Sequence, residues 1–402
     1  MVPMELLATL AQPTPSKIVL AVCDGFGGLP HPETGRSELE TACTPNLDAL
    51  ANRSQCGVIE MVGPGITPGS GPGHLALFGY DPIRYDVGRG ALSALGIDFP
   101  LQPGDVAARM NFATVDADGN IVDRRAGRIP TELTARLCAR LRDIRLDGVE
   151  VFVEPEQDYR AVLVLRGPDL SDRLSDTDPQ RTGVPPLPVR ALEPAAERTA
   201  TLVNTWIARA RELLRDERPA NAVLLRGFAK PPHIPKMTEL YKLRAAAIAV
   251  YPMYKGLARL AGMDVLDGGH SLADEIERLR AVWDQYDFFF LHVKWTDSAG
   301  EDGDFARKVA VIEQIDRELI PAVLALAPDV FALTGDHSTP SVLAAHSWHP
   351  VPFLLHSRWC FPDHVDKWGE RAARQGSLGR FPAQEVMGLL LAHALKLAKY
   401  GA

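Results

Sequence analysis

Three aspartates each stand a few residues beyond a short apolar run. Asp24 follows Ile18–Val22, Asp297 follows Phe288–Val293, and Asp336 follows Val330–Leu333 with His337 beside it. One such aspartate usually does no more than cap the turn after its strand. Three carboxylates brought together from distant parts of a chain repel one another unless a cation lies between them. Of the 11 histidines, five fall between His292 and His356, and three of these lie in the segment His337–His349. The tract Gly335-Asp336-His337-Ser338-Thr339-Pro340, followed by His346-Ser347-Trp348-His349-Pro350, offers oxygen and imidazole donors together. That mixture suits Mn, Zn or Co and tolerates Mg. His349 and His356 read as ordinary hydrogen-bonded residues.

A second chemical feature is the segment Gly63–Leu75, where five glycines and three prolines surround one serine, Ser70. An apolar helical pattern follows from His74, so Ser70 is expected at a helix N-terminus, where free backbone N–H groups favour phosphate. By itself the segment could equally be a flexible loop with a capping serine. It is no P-loop, because the lysine of that motif is absent. Gly25-Phe26-Gly27-Gly28 is no dinucleotide fingerprint either, since Pro30 stands where the third glycine belongs.

These residues need elements to carry them. Ile18–Val22, Ala222–Leu225, Ala245–Val250, Phe288–Val293, Val330–Leu333 and Val351–Leu355 are nearly continuous in apolar character, as strands covered on both faces are. Helical patterns lie between them. Thr44-Pro45 pairs a capping residue with a first-turn proline, Ser271 and Asp274 resemble a capping box, and Phe305, Val309, Ile312 and Leu319 recur at helical spacing. The pattern predicts a doubly wound, mostly parallel α/β sheet, with ligands outside the carboxyl ends of its strands. From about Val106 to Gly167 the period becomes two, interrupted by one helical stretch, Thr131–Leu141. This predicts a smaller inserted α+β domain at 106–185, including a Pro- and Asp-rich return linker that begins at Ser175 and runs on to Pro194. Residues 1–105 and 186–402 would form the larger domain.

The 402 residues are 46% hydrophobic and 23% charged, which excludes wholesale disorder. A formal charge of −8 argues against a generic nucleic-acid or membrane-surface binder. No apolar run approaches the roughly 18 residues of a membrane helix. The N-terminal stretch has no basic-then-apolar pattern of an export signal. Five cysteines without a CxxC pair suggest a reducing, cytoplasmic setting.

At these motifs the chain resembles the cofactor-independent phosphoglycerate mutases, archaeal-type branch, within the alkaline phosphatase superfamily. The likeness runs from Lys17 to about His393. Its markers are Asp24-Gly25, Thr44-Pro45-Asn46-Leu47-Asp48, Pro68-Gly69-Ser70 with His74-Leu75, Gly79-Tyr80-Asp81-Pro82, Gly88-Arg89-Gly90, Asn111-Phe112-Ala113-Thr114 and Asp123–Arg128. Leu165-Arg166-Gly167, Lys255-Gly256, His292-Val293-Lys294, Gly335-Asp336-His337-Ser338 and His346 continue the series. The resemblance implies that Ser70 is a nucleophile that takes the phosphoryl group and returns it to a different hydroxyl of the same glycerate. It implies two divalent metals, Mn foremost, one held by Asp24, Ser70, Asp336 and His337 and the other by Asp297 and His346. No 2,3-bisphosphoglycerate would be needed. His74, Arg89, Arg124, Arg125, Arg128, Arg160, Lys255 and Lys294 would contact the phosphoglycerate, although each arginine could equally belong to a solvated face. A closing second lobe would keep water from phosphoserine.

Two positions depart from the family pattern. After Asp297 the family continues Ala-Gly-His with a ligating histidine, and here Ala299-Gly300 leads to Glu301. After the nucleophile, where the family often has an acidic residue, this chain has Gly71. Glu301 is expected either to replace the imidazole as a ligand or to complement the helix beginning near Asp304. The activity expected is interconversion of 3- and 2-phosphoglycerate. A metal-dependent phosphohydrolase of small phosphate esters is the alternative. The oligomeric state has no signature in the sequence.

Overall fold

The computed structural model describes residues 2–85 and 87–401. Its strands are, in chain order, β1 (Ile18–Cys23), β2 (Gln55–Glu60), β3 (Val106–Val115), β4 (Ile121–Asp123), β5 (Glu150–Pro155), β6 (Arg160–Arg166) and β7 (Ala222–Ala229). They continue with β8 (Ala245–Ala249), β9 (Asp264–Asp267), β10 (Phe288–Val293), β11 (Val330–Thr334), β12 (Val351–Ser357) and β13 (Gly379–Pro382). Eight strands form one sheet in the order β13-β2-β12-β11-β1-β10-β8-β9. Only β12 runs against the rest, pairing antiparallel with both β11 and β2. The mostly parallel sheet expected from the apolar runs is present. Every residue of β1, β8, β10 and β11 is buried, which is why their sequences lack a polar face.

The chain divides into two compact units, Met1–Asp86 with Ile234–Ala402, and Val87–His233. The inserted unit is therefore wider than the 106–185 expected. Two features account for the difference. Helix Arg89–Gly96 precedes the alternating stretch, and helix Glu197–Leu214 with β7 follows the linker. Ala222–Leu225 reads as a core strand of the large sheet, but β7 pairs antiparallel with β3 in a separate five-stranded sheet. Its apolar run has a local cause. Val223 and Leu225 face a core shared with Leu137, Leu141, Val203 and Trp206 from two helices, while Ala222 and Leu224 pack with Ala113, Val115 and Ile121. A strand clad on both faces looks the same whichever sheet it joins.

Helix starts follow local chemistry. Ser271 accepts from the Asp274 N–H while the Asp274 carboxylate accepts from the Ser271 N–H, completing the capping box ahead of helix Leu272–Val282. Pro45 opens helix Pro45–Asn52, whereas Thr44 turns its hydroxyl toward Asp48 rather than capping.

Candidate active site

In the large sheet β1 lies between β10 and β11, with Cys23 opposite Val293 and Val22 opposite Thr334. The three strands consequently end side by side. Asp24 emerges one residue after β1, Asp336 and His337 two and three residues after β11, and Asp297 on the first turn of helix Trp295–Glu301 after β10. The topology thus gathers the three aspartates. His337 Nε2 lies 3.2 Å from Asp24 Oδ1 and 3.3 Å from Asp336 Oδ2, all three fully buried. His346 Nε2 lies 3.6 Å from Asp297 Oδ1, and its ring stacks on that of His337 at 3.7 Å between centroids.

Ser70 is the first residue of helix Ser70–Leu77, after Gly69 in an extended conformation. Its Oγ is 3.2 Å from His337 Nε2. A glycine permits this approach. A Cβ on Gly73, one turn into the helix, would lie 2.1 Å from the Asp336 carbonyl oxygen. The helix N-terminus is therefore pressed against the loop after β11, and its first turn offers the Ser70 and Gly71 N–H groups, Pro72 having none.

The electrostatics are those of a concentrated negative site with local compensation. Burial works to raise the Asp24 carboxyl, but the Lys294 ammonium and His337 outweigh it and hold the group well below the ordinary range. Lys294 Nζ donates to Asp24 Oδ2 at 2.8 Å and also to Asp297 Oδ2, and Tyr254 donates its hydroxyl to Asp24 Oδ2. Burial opposes the charge on His337 too, yet Asp336 and Asp24 raise it to about 9. His292, with no hydrogen-bond partner on either ring nitrogen among the described residues, is pushed by burial down to about 3 and stays neutral, stacked on Tyr254 at 3.6 Å.

Two carboxylate oxygens in this cluster, Asp24 Oδ1 and Asp336 Oδ2, are buried without a hydrogen-bond partner among the described residues. Their nearest polar neighbour is His337 Nε2, at 3.2 and 3.3 Å, so imidazole and carboxylate donor atoms converge there without forming a hydrogen bond between them. One ligand atom each from Asp24, Asp336 and His337 lies within 4.8 Å of the others, and the same holds for Asp297, His337 and His346. Oxygen and imidazole donors in these two groups fit divalent cations.

The remaining expected residues divide. Glu301 ends the helix that begins at Trp295, one turn after Asp297, with its half-exposed Oε1 3.8 Å from His346 Nε2. His74, expected to touch substrate, is fully buried and sits behind the cluster. Its Nδ1 lies 2.8 Å from the Ser70 carbonyl and 3.3 Å from Asp336 Oδ2. Lys255 pairs with Asp267 at 3.9 Å, beside the edge strand β9.

In the second unit Arg124 forms a bidentate pair with Asp178 at 2.9 and 2.7 Å, and Arg160 stacks over Tyr159. Arg89 starts its helix, and exposed Arg125 and Arg128 flank a turn in which Ala126, Gly127 and Arg128 all take positive φ. Arg226, not singled out in the sequence, adds a second guanidinium 3.6 Å from Asp178. Tyr254, Thr339 and Lys308 were also missed. The sequence offered a sign only for Lys308, which falls on the buried stripe of its helix.

Comparison with known proteins is consistent with this arrangement. The family model described as 2,3-bisphosphoglycerate-independent phosphoglycerate mutase matches residues 51–221. A Thermus thermophilus protein named "Probable 2,3-bisphosphoglycerate-independent phosphoglycerate mutase" is 56% identical over 401 residues, covering 98% of each chain. An Aquifex aeolicus protein of the same name is 50% identical, over 99% of this chain and 100% of that one. Among solved structures, the cofactor-independent phosphoglycerate mutase of Thermoplasma acidophilum is 34% identical, covers 94% of this chain and 100% of that one, and superposes with a TM-score of 0.67. A Pyrococcus horikoshii protein reaches 0.83 at 29% identity, over 97% of this chain and 100% of that one.

Proposed function

Since the chain belongs to the 2,3-bisphosphoglycerate-independent phosphoglycerate mutase family, we propose that Ser70 is the nucleophile with which it interconverts 3- and 2-phosphoglycerate. The enzyme is an isomerase. The observation that carries the assignment of Ser70 is its place at a helix N-terminus, with Oγ 3.2 Å from His337 Nε2, the same ring nitrogen that lies 3.2 Å from Asp24 and 3.3 Å from Asp336.

Asp24, Ser70, Asp336 and His337 would hold one divalent cation, and Asp297, Glu301 and His346 the other. Divalent ions there, Mn foremost, would supply the charge that lets a serine hydroxyl ionise near neutrality and that offsets the phosphoryl oxygens. Ser70 Oγ forms a bond to phosphorus as the bond to the glycerate ester oxygen breaks, the Ser70 proton passing to that departing oxygen. The neighbouring glycerate hydroxyl then takes the phosphoryl group back as the Ser70 Oγ–phosphorus bond breaks, its proton returning to Ser70. The Ser70 and Gly71 N–H groups at the open end of the helix orient the phosphoryl oxygens throughout. Lys294, bonded to Asp24 and Asp297, keeps the carboxylates from accumulating uncompensated charge near the incoming anion.

Carboxylate recognition is assigned to the guanidinium groups of the second unit. Arg125 and Arg128 are exposed, and Arg89, Arg124 and Arg160 complete the set, with Arg124 steadied by Asp178. Free cysteines and the absence, among the described residues, of a helix long and apolar enough to cross a membrane accord with a cytoplasmic enzyme.

One assay tests the reading. Purified protein incubated with 3-phosphoglycerate and Mn²⁺, without 2,3-bisphosphoglycerate, is expected to yield 2-phosphoglycerate and little free phosphate. Phosphate as the main product would instead identify a hydrolase.

A further inference from the structure

Lys308 lies one turn into helix Phe305–Gln314 and is fully buried. Its Nζ donates to three main-chain carbonyls, Gly25 at 2.9 Å, Gly27 at 3.0 Å and Thr339 at 2.8 Å. An ammonium has three N–H groups, and here all three are used. Gly25 and Gly27 belong to the loop that carries Asp24, and Thr339 to the loop that carries Asp336 and His337.

The two loops are joined at the same point by the Thr339 N–H, shared between the Gly25 and Gly27 carbonyls. Thr339 then reaches the cluster itself, its Oγ1 lying 2.9 Å from both Asp297 Oδ1 and His337 Nδ1. On the outer side Glu38 accepts from the Ser341 N–H and hydroxyl at 2.7 and 2.6 Å, and Glu370 accepts from the Gly28 N–H at 2.8 Å.

Burying an ammonium is expensive, and an apolar side chain would fill the same space without that cost. The partners are carbonyls of two ligand-bearing loops, so the group ties those loops together. We infer that Lys308 is a positioning residue that fixes the separation of the Asp24 loop and the Asp336–Thr339 loop, and thereby the spacing of the metal ligands. This rests on the two-cation reading above. Metal–ligand distances tolerate only about 0.2 Å of error, and residues that orient ligands typically account for 10–100-fold in metal affinity.

The test replaces the ammonium with an apolar chain of similar length, Lys308→Met, and measures Mn²⁺ affinity by equilibrium dialysis and electron paramagnetic resonance. Affinity is expected to fall about 10–100-fold. Turnover at limiting Mn²⁺ should fall with it and recover in excess Mn²⁺, with KM for 3-phosphoglycerate unchanged. A residue that only supports the fold would lower the melting temperature of the metal-free protein and leave Mn²⁺ affinity within about threefold of wild type (~0.6 kcal/mol). That result overturns the inference, as does a turnover deficit that excess Mn²⁺ cannot correct. Lys308→Gln, which keeps two donors, serves if the Met variant does not fold. If neither folds, Lys308 is a requirement of the fold and the inference fails. Wild-type protein that binds no Mn²⁺ would remove the metal site and this role together. Tight wild-type binding with unchanged Lys308→Met affinity would remove the role alone.

Discussion

Ser70 and Glu301 answer different questions about the same site. Ser70→Ala deletes the proposed nucleophile while leaving Asp24, Asp336 and His337 in place. Its turnover should fall at least about 10³-fold, as removal of a nucleophile does. Mn²⁺ should still bind, more weakly, and the phosphoserine seen by mass spectrometry in the wild type should be absent. Near-normal turnover, or phosphate on another residue, would displace Ser70 from its role. Glu301 lies 3.8 Å from His346 and is half-exposed, so its two readings separate cleanly on metal content. If it is a ligand, Glu301→Ala should lose one tightly held Mn²⁺ equivalent and most turnover, and Glu301→His should favour softer cations such as Zn or Co. Retention of two tight equivalents by the alanine variant would reduce Glu301 to a charge at a helix end.

Among the elements, helix Ser70–Leu77 and helix Leu272–Val282 carry opposite lessons. The first is placed by close approach. Gly73→Ala would put a methyl group 2.1 Å from the Asp336 carbonyl, so the helix must move and carry Ser70 away from His337. A large loss of turnover is expected, with weaker Mn²⁺ binding, although alanine is the better helix former by about 1 kcal/mol. An alanine variant with wild-type turnover would show that the approach is not needed.

The second helix bears a cost unrelated to the site. Glu275 is fully buried with both carboxylate oxygens unpaired among the described residues, and burial followed by Asp274 raises it well above the ordinary glutamate value of 4.5. A raised carboxyl is tolerated in its neutral form. The contribution of Glu275 to stability is therefore most favourable below about pH 4.5 and is lost as pH climbs through the folded value. Glu275→Met should remove that decline and melt higher than wild type at pH 8, by about 1–3 kcal/mol, with the advantage shrinking toward pH 5. The first-turn dipole contribution lost with the charge, about 0.3–1 kcal/mol, is smaller. An advantage that does not grow with pH would contradict the argument.

These cases also mark where sequence reading succeeds and stops. The gathering of Asp24, Asp297 and Asp336 was legible because each follows a strand nearly continuous in apolar character, and strand ends in a parallel sheet share one edge. The pairing of β7 with β3 was not, since an apolar run does not say which sheet it joins. The reversal of β12 was equally hidden. Lys308 occupies the same stripe as Phe305, Val309 and Ile312, but a lysine on such a stripe ordinarily snorkels outward. What it bonds to depends on two loops that only the folded sheet brings together.

At the scale of the whole molecule, the catalytic proposal makes metal a structural partner as well as a reagent. Chelation should abolish turnover reversibly, and Mn²⁺ at about 100 times its dissociation constant should stabilise the protein by about 2.7 kcal/mol. A thermal scan with and without chelator reads this directly. Identical scans, with full activity in the chelated protein, would refute the metal dependence.

One detail of the second unit, the closeness of its two ends, bears on the engineering of the chain. A Cβ on Gly88 would fall 2.5 Å from that of Ala229, so the first and last stretches of the unit's own chain lie close together. Its own apolar core, built around Trp206 and Leu137, lies within this uninterrupted stretch of sequence. A segment with adjoining ends is a cassette: it can be excised, exchanged between homologues or expressed alone without reordering the rest of the chain. The isolated segment Val87–His233 should then melt cooperatively by circular dichroism. The remainder, closed by a short glycine-serine bridge, should still take up Mn²⁺ and release phosphate slowly while forming no 2-phosphoglycerate. Such a pair of products would separate the phosphate-releasing chemistry of one unit from the part that makes the enzyme an isomerase.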